Sequence, residues 1–269
     1  MPELPEVESV RLGLLEIEGL SIQKVELGLP HCMESLLHKE SLDLMLLEGQ
    51  KILRLFRKGK YLYIELEGGV LMIHLGMSGV LIRGGEYRKH THYKFFLSDG
   101  SVVHYSDPRR FGVICLSSSY ETQPSARTLG PDSVNDLGLL EEQFKIVSKS
   151  QRDIKTLLLD QKILAGVGNI YACEALFKAK ISPLRKGIEL NLADWKRLLD
   201  CNREILLKSI ENRGTTFSDY RLSNGKEGEF KSFLQVFQKE GEDCPLCEEL
   251  VLKIKQAGRS TFYCENCQI

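Results

Sequence analysis

The sequence predicts an α+β protein, in which an N-terminal antiparallel β-sandwich with flanking helices precedes a helical domain and a zinc β-hairpin. Short alternating strands with Gly-containing turns dominate up to about residue 115. Helical spacings broken by Gly and Pro follow from about residue 134. Four of the eight cysteines stand in two CxxC pairs at the carboxyl end, which is typical of a zinc site.

These changes along the chain predict the domain organisation. The stretch SSSYETQPSARTLGPDS is rich in Ser, Thr, Pro and Gly, a composition typical of a linker. A chain of 269 residues is long enough for more than one domain with its own core. We predict a β-sandwich domain at 1–116, a linker at 117–133, a helical domain at 134–235 and a four-cysteine zinc finger at 236–269.

The opening MPELPEVES predicts a helix start. Leu4, Val7, Val10 and Leu14 recur at helical spacing. Glutamates are enriched in the first turns, where the helix dipole stabilises anions. We therefore predict a helix over about residues 3–17, and ask whether its amino end also carries chemistry.

The remaining strands are predicted from the alternation of apolar and polar residues, and the remaining helices from the helical spacing of apolar residues. YLYIELEGGVLMIHLGM predicts two strands around the turn at 67–69, and HYKFFLSDGSVVHYSD predicts two more around the turn at 98–100. Helical patterns are found at Glu141–Val147, Ile154–Leu159, Ile170–Ala179 and Leu192–Ser209.

Charge and hydropathy narrow the class of protein. The net charge is −1, but residues 1–50 carry a balance of −7, which leaves +6 for the remainder. The stretch KILRLFRKGK at 51–60 has five basic residues and no acid, so a basic face for nucleic acid is possible, although a solvated strand edge would give the same pattern. No apolar run is long enough to span a bilayer, and the start is acidic where a signal peptide is basic. We expect a cytoplasmic protein with no membrane partner.

The carboxyl-terminal cysteines have the spacing of a structural zinc site. Cys244 and Cys247 form one CxxC knuckle, and Cys264 and Cys267 form the other. Two such knuckles can close a tetrahedral four-thiolate site around one Zn²⁺ ion, and the alternation between them predicts a β-hairpin. Because four thiolates leave no position for water, the ion would be structural and not catalytic. Arg259 lies near the predicted hairpin tip, where its guanidinium could bind phosphate.

Motifs spread along nearly the whole chain resemble the bacterial formamidopyrimidine-DNA glycosylases and, more broadly, the family that they share with endonuclease VIII. Their order and separation are more specific than any single motif. The start and the DPRRF segment resemble the formamidopyrimidine branch. The motifs are MPELPEVE (1–8), KGKYLYIEL (58–66), IHLGMSG (73–79), DPRRFG (107–112), AGVGNIYACEALF (165–177) and GRSTFYCENCQ (258–268).

This resemblance implies a bifunctional base-excision repair enzyme. Such an enzyme excises oxidised purines, chiefly 8-oxoguanine and formamidopyrimidines, from damaged double-stranded DNA and then nicks the strand. The implied fold adds a helix-two-turn-helix motif to the helical domain, with DNA lying in the cleft between domains. The resemblance also implies a nucleoid-associated monomer that needs no small-molecule cofactor.

The resemblance assigns four catalytic residues. Pro2 would be the nucleophile: removal of Met1 exposes a secondary amine, which can form an iminium with the sugar. Glu3 would be the general acid/base, which requires a raised pKa. Lys60 would assist β-elimination, and Arg259 would grip the phosphates and help δ-elimination. Without the resemblance, Glu3 would be interpreted only as an acid favouring the helix dipole.

Seven further residues are assigned to DNA binding by the same resemblance. Met77, Arg109 and Phe111 would form a wedge that fills the hole left by the flipped nucleotide; from the isolated sequence, Met77 and Phe111 would be predicted core residues. The segment 215–230 resembles the lid over the flipped base. The residues expected to contact the DNA elsewhere are His74, His90, Lys155 and Asn169.

Two alternatives remain at the level of sequence. One is an endonuclease VIII-like enzyme that excises oxidised pyrimidines by the same amine chemistry. The other is a non-catalytic zinc-ribbon DNA-binding protein in which Pro2 is structural. A dinucleotide-binding interpretation of GVGN (166–169) fails, because no strand-GxGxxG-helix unit surrounds it.

Overall fold

The computed structural model describes residues 2–28, 44–84, 89–136, 140–216, 222–223 and 226–269. The chain divides into two compact units. The N-terminal unit consists of residues 1–128 and 212–231, and the C-terminal unit consists of residues 129–211 and 232–269. The chain therefore returns to the N-terminal unit after the long helix of the C-terminal unit. Within the described ranges, no helix is both long and apolar enough to cross a membrane.

Two four-stranded antiparallel sheets form the N-terminal unit. The first has the order β2-β3-β4-β8, and the second has the order β1-β6-β7-β5. Alternating apolar side chains on both sheets meet in one core, which is the arrangement of a β-sandwich. The strands are β1 (Ile22–Leu27), β2 (Ile52–Lys58), β3 (Tyr61–Leu66), β4 (Gly69–His74), β5 (Val80–Arg83), β6 (Thr91–Leu97), β7 (Val102–Ser106) and β8 (Val113–Ser117).

The predicted N-terminal helix is present. Helix α1 spans Leu4–Gly13, and a 3₁₀ turn at Leu15–Ile17 continues it. Val7, Val10 and Leu14 join the sandwich core, as their spacing predicts. Burial of this stripe fixes the helix against the sheets, so the amino end of α1 has a defined place in the unit.

A buried ion pair also ties α1 to strand β2. Arg57 donates to the carboxylate of Glu8 at 3.0 Å, and the side chains of Arg57 and Glu8 are 2% and 15% exposed. Arg11 donates to the same carboxylate at 2.7 Å. Burial by itself would raise the pKa of Glu8, but hydrogen bonds and charge from Arg11 and Arg57 lower it below its usual value.

The C-terminal unit is mainly helical and ends in a two-stranded hairpin. Apolar residues of the helix at Asn169–Lys178 pack on the hairpin, with Phe177, Val236 and Phe262 in one cluster. The predicted fold class is thus confirmed. The helices are α3 (Leu140–Val147), α4 (Ile154–Leu158), α5 (Asn169–Lys178) and α6 (Leu192–Glu211), and the hairpin strands are β9 (Leu252–Gln256) and β10 (Arg259–Tyr263).

The stretch predicted as a linker contains ordered structure. A 3₁₀ turn at Tyr120–Thr122 leads into helix α2 (Pro124–Thr128). Gln123 is fully buried and donates to the carbonyl of Val70 at 2.8 Å. The Ser- and Pro-rich composition, which favours loops, here also favours capping of short helical turns. The predicted domain boundaries themselves stay a prediction.

We expect Glu8→Gln to destabilise the N-terminal unit by about 2–3 kcal/mol, because the substitution leaves Arg57 buried without this anion. Since the folded-state pKa of Glu8 is lowered, the difference from wild type should be complete above pH 4.5 and shrink as the pH falls through the lowered pKa. Urea denaturation measures the free energy of unfolding of both proteins. Hydrogen exchange in β2 and β3 shows whether the stability is lost there. Glu16→Gln is the control, since Glu16 pairs with Arg83 but is 85% exposed; an equal loss in both variants would contradict the prediction.

Candidate active site and metal centre

The amino end of α1 places Pro2 and Glu3 in a buried setting. Both residues are buried, with Glu3 at 2% exposure. Glu3 is the N-cap residue, and its backbone N–H donates to Oε2 of Glu6 at 2.8 Å. Pro5 stands in the first helical turn, where its missing N–H costs nothing. The helix start therefore fixes the backbone on which Pro2 is held.

Glu6 also holds the segment predicted as the lid. Its Oε1 accepts the N–H of Thr215 at 2.7 Å, and Glu6 is only 1% exposed. A Cβ at Gly214, where φ is +79°, would lie 2.9 Å from this carboxylate, so only glycine fits. Residues 217–221 and 224–225 of the predicted lid lie outside the described residues.

Lys60 and His74 are brought together by the β3–β4 hairpin. Tyr61 and His74 are partners in the strand register, and their rings lie 4.7 Å apart. Lys60 directly precedes β3 and is 7% exposed. Arg57 donates to the carbonyl of Gly59 at 2.9 Å, so the ion pair with Glu8 also fixes the turn that carries Lys60.

His74 is neutral at physiological pH. Burial, together with the nearby positive charge of Lys60, lowers the pKa of the His74 imidazole to about 4. The backbone N–H of Gly76 donates to Nδ1 of His74 at 3.3 Å. This hydrogen bond assigns the proton to Nε2. His74 can therefore offer an N–H to a phosphate without carrying a charge.

The three residues predicted as a wedge lie on two turns at one end of the sheet. Met77 follows β4, and Arg109 and Phe111 precede β8, the strand that pairs with β4. Met77 is 37% exposed and Phe111 is 55% exposed. The guanidinium of Arg109 lies 5.1 Å from the centre of the Phe111 ring. The interpretation of Met77 and Phe111 as core residues is therefore wrong, since both present apolar surface to solvent.

The backbone of His90 is hydrogen-bonded to the loop that carries Arg109 and Phe111. Its carbonyl accepts the N–H of Asp107 at 3.2 Å, and its φ of 73° is uncommon for a non-glycine residue. The His90 side chain is half-buried. The structure thus places His90 near the DPRRFG loop, whereas its predicted DNA contact stays a prediction.

Lys155 and Asn169 meet at one carbonyl in the C-terminal unit. Nζ of Lys155 and Nδ2 of Asn169 both donate to the carbonyl oxygen of Ser260 at 2.9 Å. Lys155 also donates to Thr261 at 2.7 Å and is 1% exposed. Arg259, the residue before Ser260, is exposed. Lys155 and Asn169 thus fix the strand that presents Arg259, and their direct contacts with DNA stay predictions.

The four carboxyl-terminal cysteines form a metal centre. Their sulfur atoms all lie within 4.8 Å of one another, with Cys244–Cys267 at 3.8 Å and Cys247–Cys264 at 3.5 Å. A tetrahedral zinc site with Zn–S bonds of about 2.3 Å requires sulfur separations of about 3.8 Å. Burial and the neighbouring thiols raise the pKa of Cys264, so a bound dication would favour the thiolate form of this residue. The residues fit one Zn²⁺ ion.

Sequence reasoning missed two buried acids that hold backbone segments through hydrogen bonds. Asp107 is fully buried within the DPRRFG loop. Glu174 on α5 accepts three backbone N–H groups of residues 235–237 at 2.8–3.0 Å. Burial raises the pKa of Glu174. The acid within the quoted DPRRFG motif was a usable signal for Asp107, whereas nothing local in the sequence links Glu174 to a segment about sixty residues away.

A buried amino end, three exposed side chains on neighbouring loops and a four-thiolate centre are the features expected of a DNA-processing enzyme with a structural zinc finger. Three family models match the chain: the formamidopyrimidine-DNA glycosylase N-terminal domain over residues 1–114, the formamidopyrimidine-DNA glycosylase H2TH domain over 129–221, and the zinc finger found in FPG and IleRS over 241–269.

Complete relatives and solved structures agree with these models. The formamidopyrimidine-DNA glycosylase of Heliobacterium modesticaldum is 42% identical, with full coverage of both chains. The crystal structure of the MutM (Fpg) protein from Thermus thermophilus has a TM-score of 0.86 and 37% identity, covering 99% of this chain and 98% of that one. A complex between the Lactococcus lactis Fpg and DNA containing an abasic site has a TM-score of 0.86 and 33% identity, covering 99% of each chain.

The chain belongs to the formamidopyrimidine-DNA glycosylase family. It is a DNA-repair glycosylase with abasic-site lyase activity and a zinc finger, as the sequence predicts. The non-catalytic zinc-ribbon alternative does not account for an N-terminal glycosylase domain that covers residues 1–114.

We expect the His74 imidazole to stay neutral down to about pH 5, because burial and Lys60 hold its pKa at about 4. NMR titration of labelled histidine between pH 7.5 and 4.5 measures this. Lys60→Met should raise the pKa of His74 while leaving it below the usual value, since burial is the larger cause. Lys58→Met is the matched control and should leave it unchanged. A midpoint near 6.5 in the wild type would contradict the assignment.

We expect one zinc ion per chain, whose removal loosens the hairpin and not the sandwich. Chelation should abolish hydrogen-exchange protection in β9 and β10 while protection in β3 and β4 persists, since the thiolates tie both knuckles to the hairpin. Cys264→Ala should lose the metal in elemental analysis. Cys201→Ala, at a half-buried cysteine outside the cluster, should keep it. Full hairpin protection in metal-free protein would refute this structural role.

Proposed function

We propose that Pro2 is the nucleophile that excises oxidised purines, chiefly 8-oxoguanine and formamidopyrimidines, from duplex DNA. The observation that carries the proposal is the burial of Pro2 and Glu3 at the amino end of α1. Once Met1 is removed, Pro2 is a secondary amine. Burial and the positive end of the helix dipole both disfavour its protonated form, so they favour the nucleophilic form.

The chemistry proceeds through a covalent intermediate. The Pro2 nitrogen attacks the anomeric carbon, the glycosidic bond breaks, and the base leaves with the bonding electrons. Loss of the amine proton and opening of the sugar ring then give an iminium. We propose that Glu3, next in the chain, protonates the ring oxygen. A secondary amine cannot relax to a neutral imine, so the cation persists as an electron sink for elimination.

Two cations serve the elimination steps. Lys60 lies in the buried setting that also lowers the pKa of His74, which suits proton transfer during β-elimination. The exposed guanidinium of Arg259 suits a bidentate grip on phosphate during δ-elimination. We propose that Lys155 and Asn169 act by fixing the carbonyl of Ser260 next to Arg259.

The remaining assignments concern the DNA. The exposed tips of Met77, Arg109 and Phe111 suit insertion into a duplex from which one nucleotide is flipped. We propose that the neutral N–H of His74 and the half-buried His90 contact phosphates. We further propose that the enzyme acts as a monomer in the cytoplasm, associated with the nucleoid.

Borohydride trapping tests the nucleophile. Methionine-free protein should form a covalent adduct with DNA that contains 8-oxoguanine opposite cytosine, because the iminium is reducible. Glu3→Gln should lower excision of the base by about 100-fold or more, yet still trap on DNA with a preformed abasic site, where no base must leave.

Two controls separate this proposal from its alternatives. Protein that retains Met1 should not trap, since its Pro2 nitrogen is a peptide nitrogen. If methionine-free protein forms no adduct, the proposal is wrong. Stronger trapping on oxidised thymine than on 8-oxoguanine would favour the endonuclease VIII-like activity instead.

A further inference from the structure

The two loops that carry the wedge are joined at their base by a buried polar cluster. We define the Met77 turn as residues 75–79 and the Arg109 loop as residues 107–112. Ser78 and Asp107 are 2% and 0% exposed, and Oγ of Ser78 donates to Oδ1 of Asp107 at 2.5 Å. The same hydroxyl accepts the backbone N–H of Arg109 at 3.1 Å. One serine hydroxyl of the Met77 turn thus bonds two groups of the Arg109 loop.

Asp107 organises the loop to which it belongs. Its Oδ2 accepts the backbone N–H of Gly112 at 2.8 Å, which closes the Arg109 loop on itself. Its own backbone N–H donates to His90, and its carbonyl is 2.8 Å from Nε2 of His92. A buried carboxylate is expensive unless its oxygens accept hydrogen bonds. The cost of burial therefore favours this one loop geometry over others.

The backbones of the two loops are also in close contact. A Cβ at Gly76 would lie 2.4 Å from the carbonyl carbon of Phe111, and Gly76 has a φ of +61°. A Cβ at Gly112 would lie 1.8 Å from the hydroxyl of Tyr105. Arg110 has a φ of 57°, an uncommon conformation for a non-glycine residue. Contacts at their buried base thus hold the two loops in one arrangement, while Met77, Arg109 and Phe111 project outward.

We propose that Ser78 and Asp107 are positioning residues for nucleotide flipping, which clamp the Met77 turn to the Arg109 loop so that the three wedge side chains enter the duplex as one preset unit. This inference rests on the proposed wedge function. Inserting side chains must offset the unstacking of a nucleotide. A wedge whose base is already fixed loses less conformational freedom on insertion than one that must assemble on the DNA.

If Ser78 clamps the two loops, Ser78→Ala should slow excision of the base much more than the lyase reaction at a preformed abasic site. On duplex DNA with 8-oxoguanine opposite cytosine, kcat/KM should fall by on the order of 10-fold to 100-fold, because small misplacements of positioning groups have effects of that size. On the same duplex with a preformed abasic site, where no base needs unstacking, the lyase rate should change by less than about 3-fold. Asp107→Asn should show the same split. Stopped-flow fluorescence of 2-aminopurine beside the lesion should show slower flipping.

Two controls distinguish a clamp from general destabilisation. Ser125→Ala removes another buried hydroxyl of the same unit, which lies 2.8 Å from the hydroxyl of Tyr63, and should leave both rates unchanged. In a double-mutant cycle with Phe111→Ala, the loss from Ser78→Ala should largely disappear, because a truncated wedge gains little from being positioned.

Equal losses on both substrates, or additive losses in the cycle, would overturn the clamp and leave the proposed function intact. So would an unchanged rate for Ser78→Ala on the lesion duplex. Failure of the wild-type protein to excise 8-oxoguanine would instead overturn the proposed function, and the clamp with it.

Discussion

The buried ion pair between Glu8 and Arg57 is the interaction on which the N-terminal site depends. Glu8 belongs to α1, the helix that carries Pro2 and Glu3, whereas Arg57 lies at the end of β2 and donates onward to the carbonyl of Gly59 beside Lys60. One carboxylate and one guanidinium thus connect the helix that follows Pro2 and Glu3 to the turn that carries Lys60. Because Arg57 is buried, it cannot exchange its partner for water without a large free-energy cost. The two elements that carry the proposed catalytic residues are therefore held in one relation to each other, as catalysis by positioning would require.

Buried carboxylates hold several backbone segments among the described residues. Glu6 accepts the backbone N–H groups of Glu3 and Thr215, Asp107 accepts that of Gly112, and Glu174 accepts three from residues 235–237. A loop has no ladder to satisfy its N–H groups, and each unsatisfied buried donor costs free energy. A carboxylate satisfies several at once and becomes costly itself if the loop moves away. The same acids that stabilise these loops therefore make their alternative conformations unfavourable.

Much of the fold could be predicted from the sequence, because periodicity and turn residues act locally. The stripe Val7, Val10 and Leu14 predicted α1, and two CxxC pairs predicted the metal centre. Exposure was less predictable: Met77 and Phe111 have the composition of core residues, and only the family resemblance indicated that they project outward. The hydrogen bonds from backbone N–H groups to the carboxylates of Glu6 and Glu174 could not be predicted. The partner of Glu6 is 209 residues away in the sequence, and that of Glu174 is about sixty residues away. Side chains that bind distant backbone leave no pattern in their own neighbourhood.

Burial also decides which groups at the N-terminal site carry charge. Desolvation disfavours ionised forms, and Lys60 adds its own charge, so His74 remains a neutral N–H donor. The same desolvation would act on the amine of Pro2 once it is free. In the proposed mechanism, the amine of Pro2 and the ammonium of Lys60 act on the same sugar, and the repulsion between them would lower the pKa of whichever group loses its proton more readily. An α-amino group has a lower ordinary pKa than a lysine, so Pro2 is the group that becomes neutral. In this proposal, Lys60 would favour the reactive form of Pro2 even before it takes part in elimination.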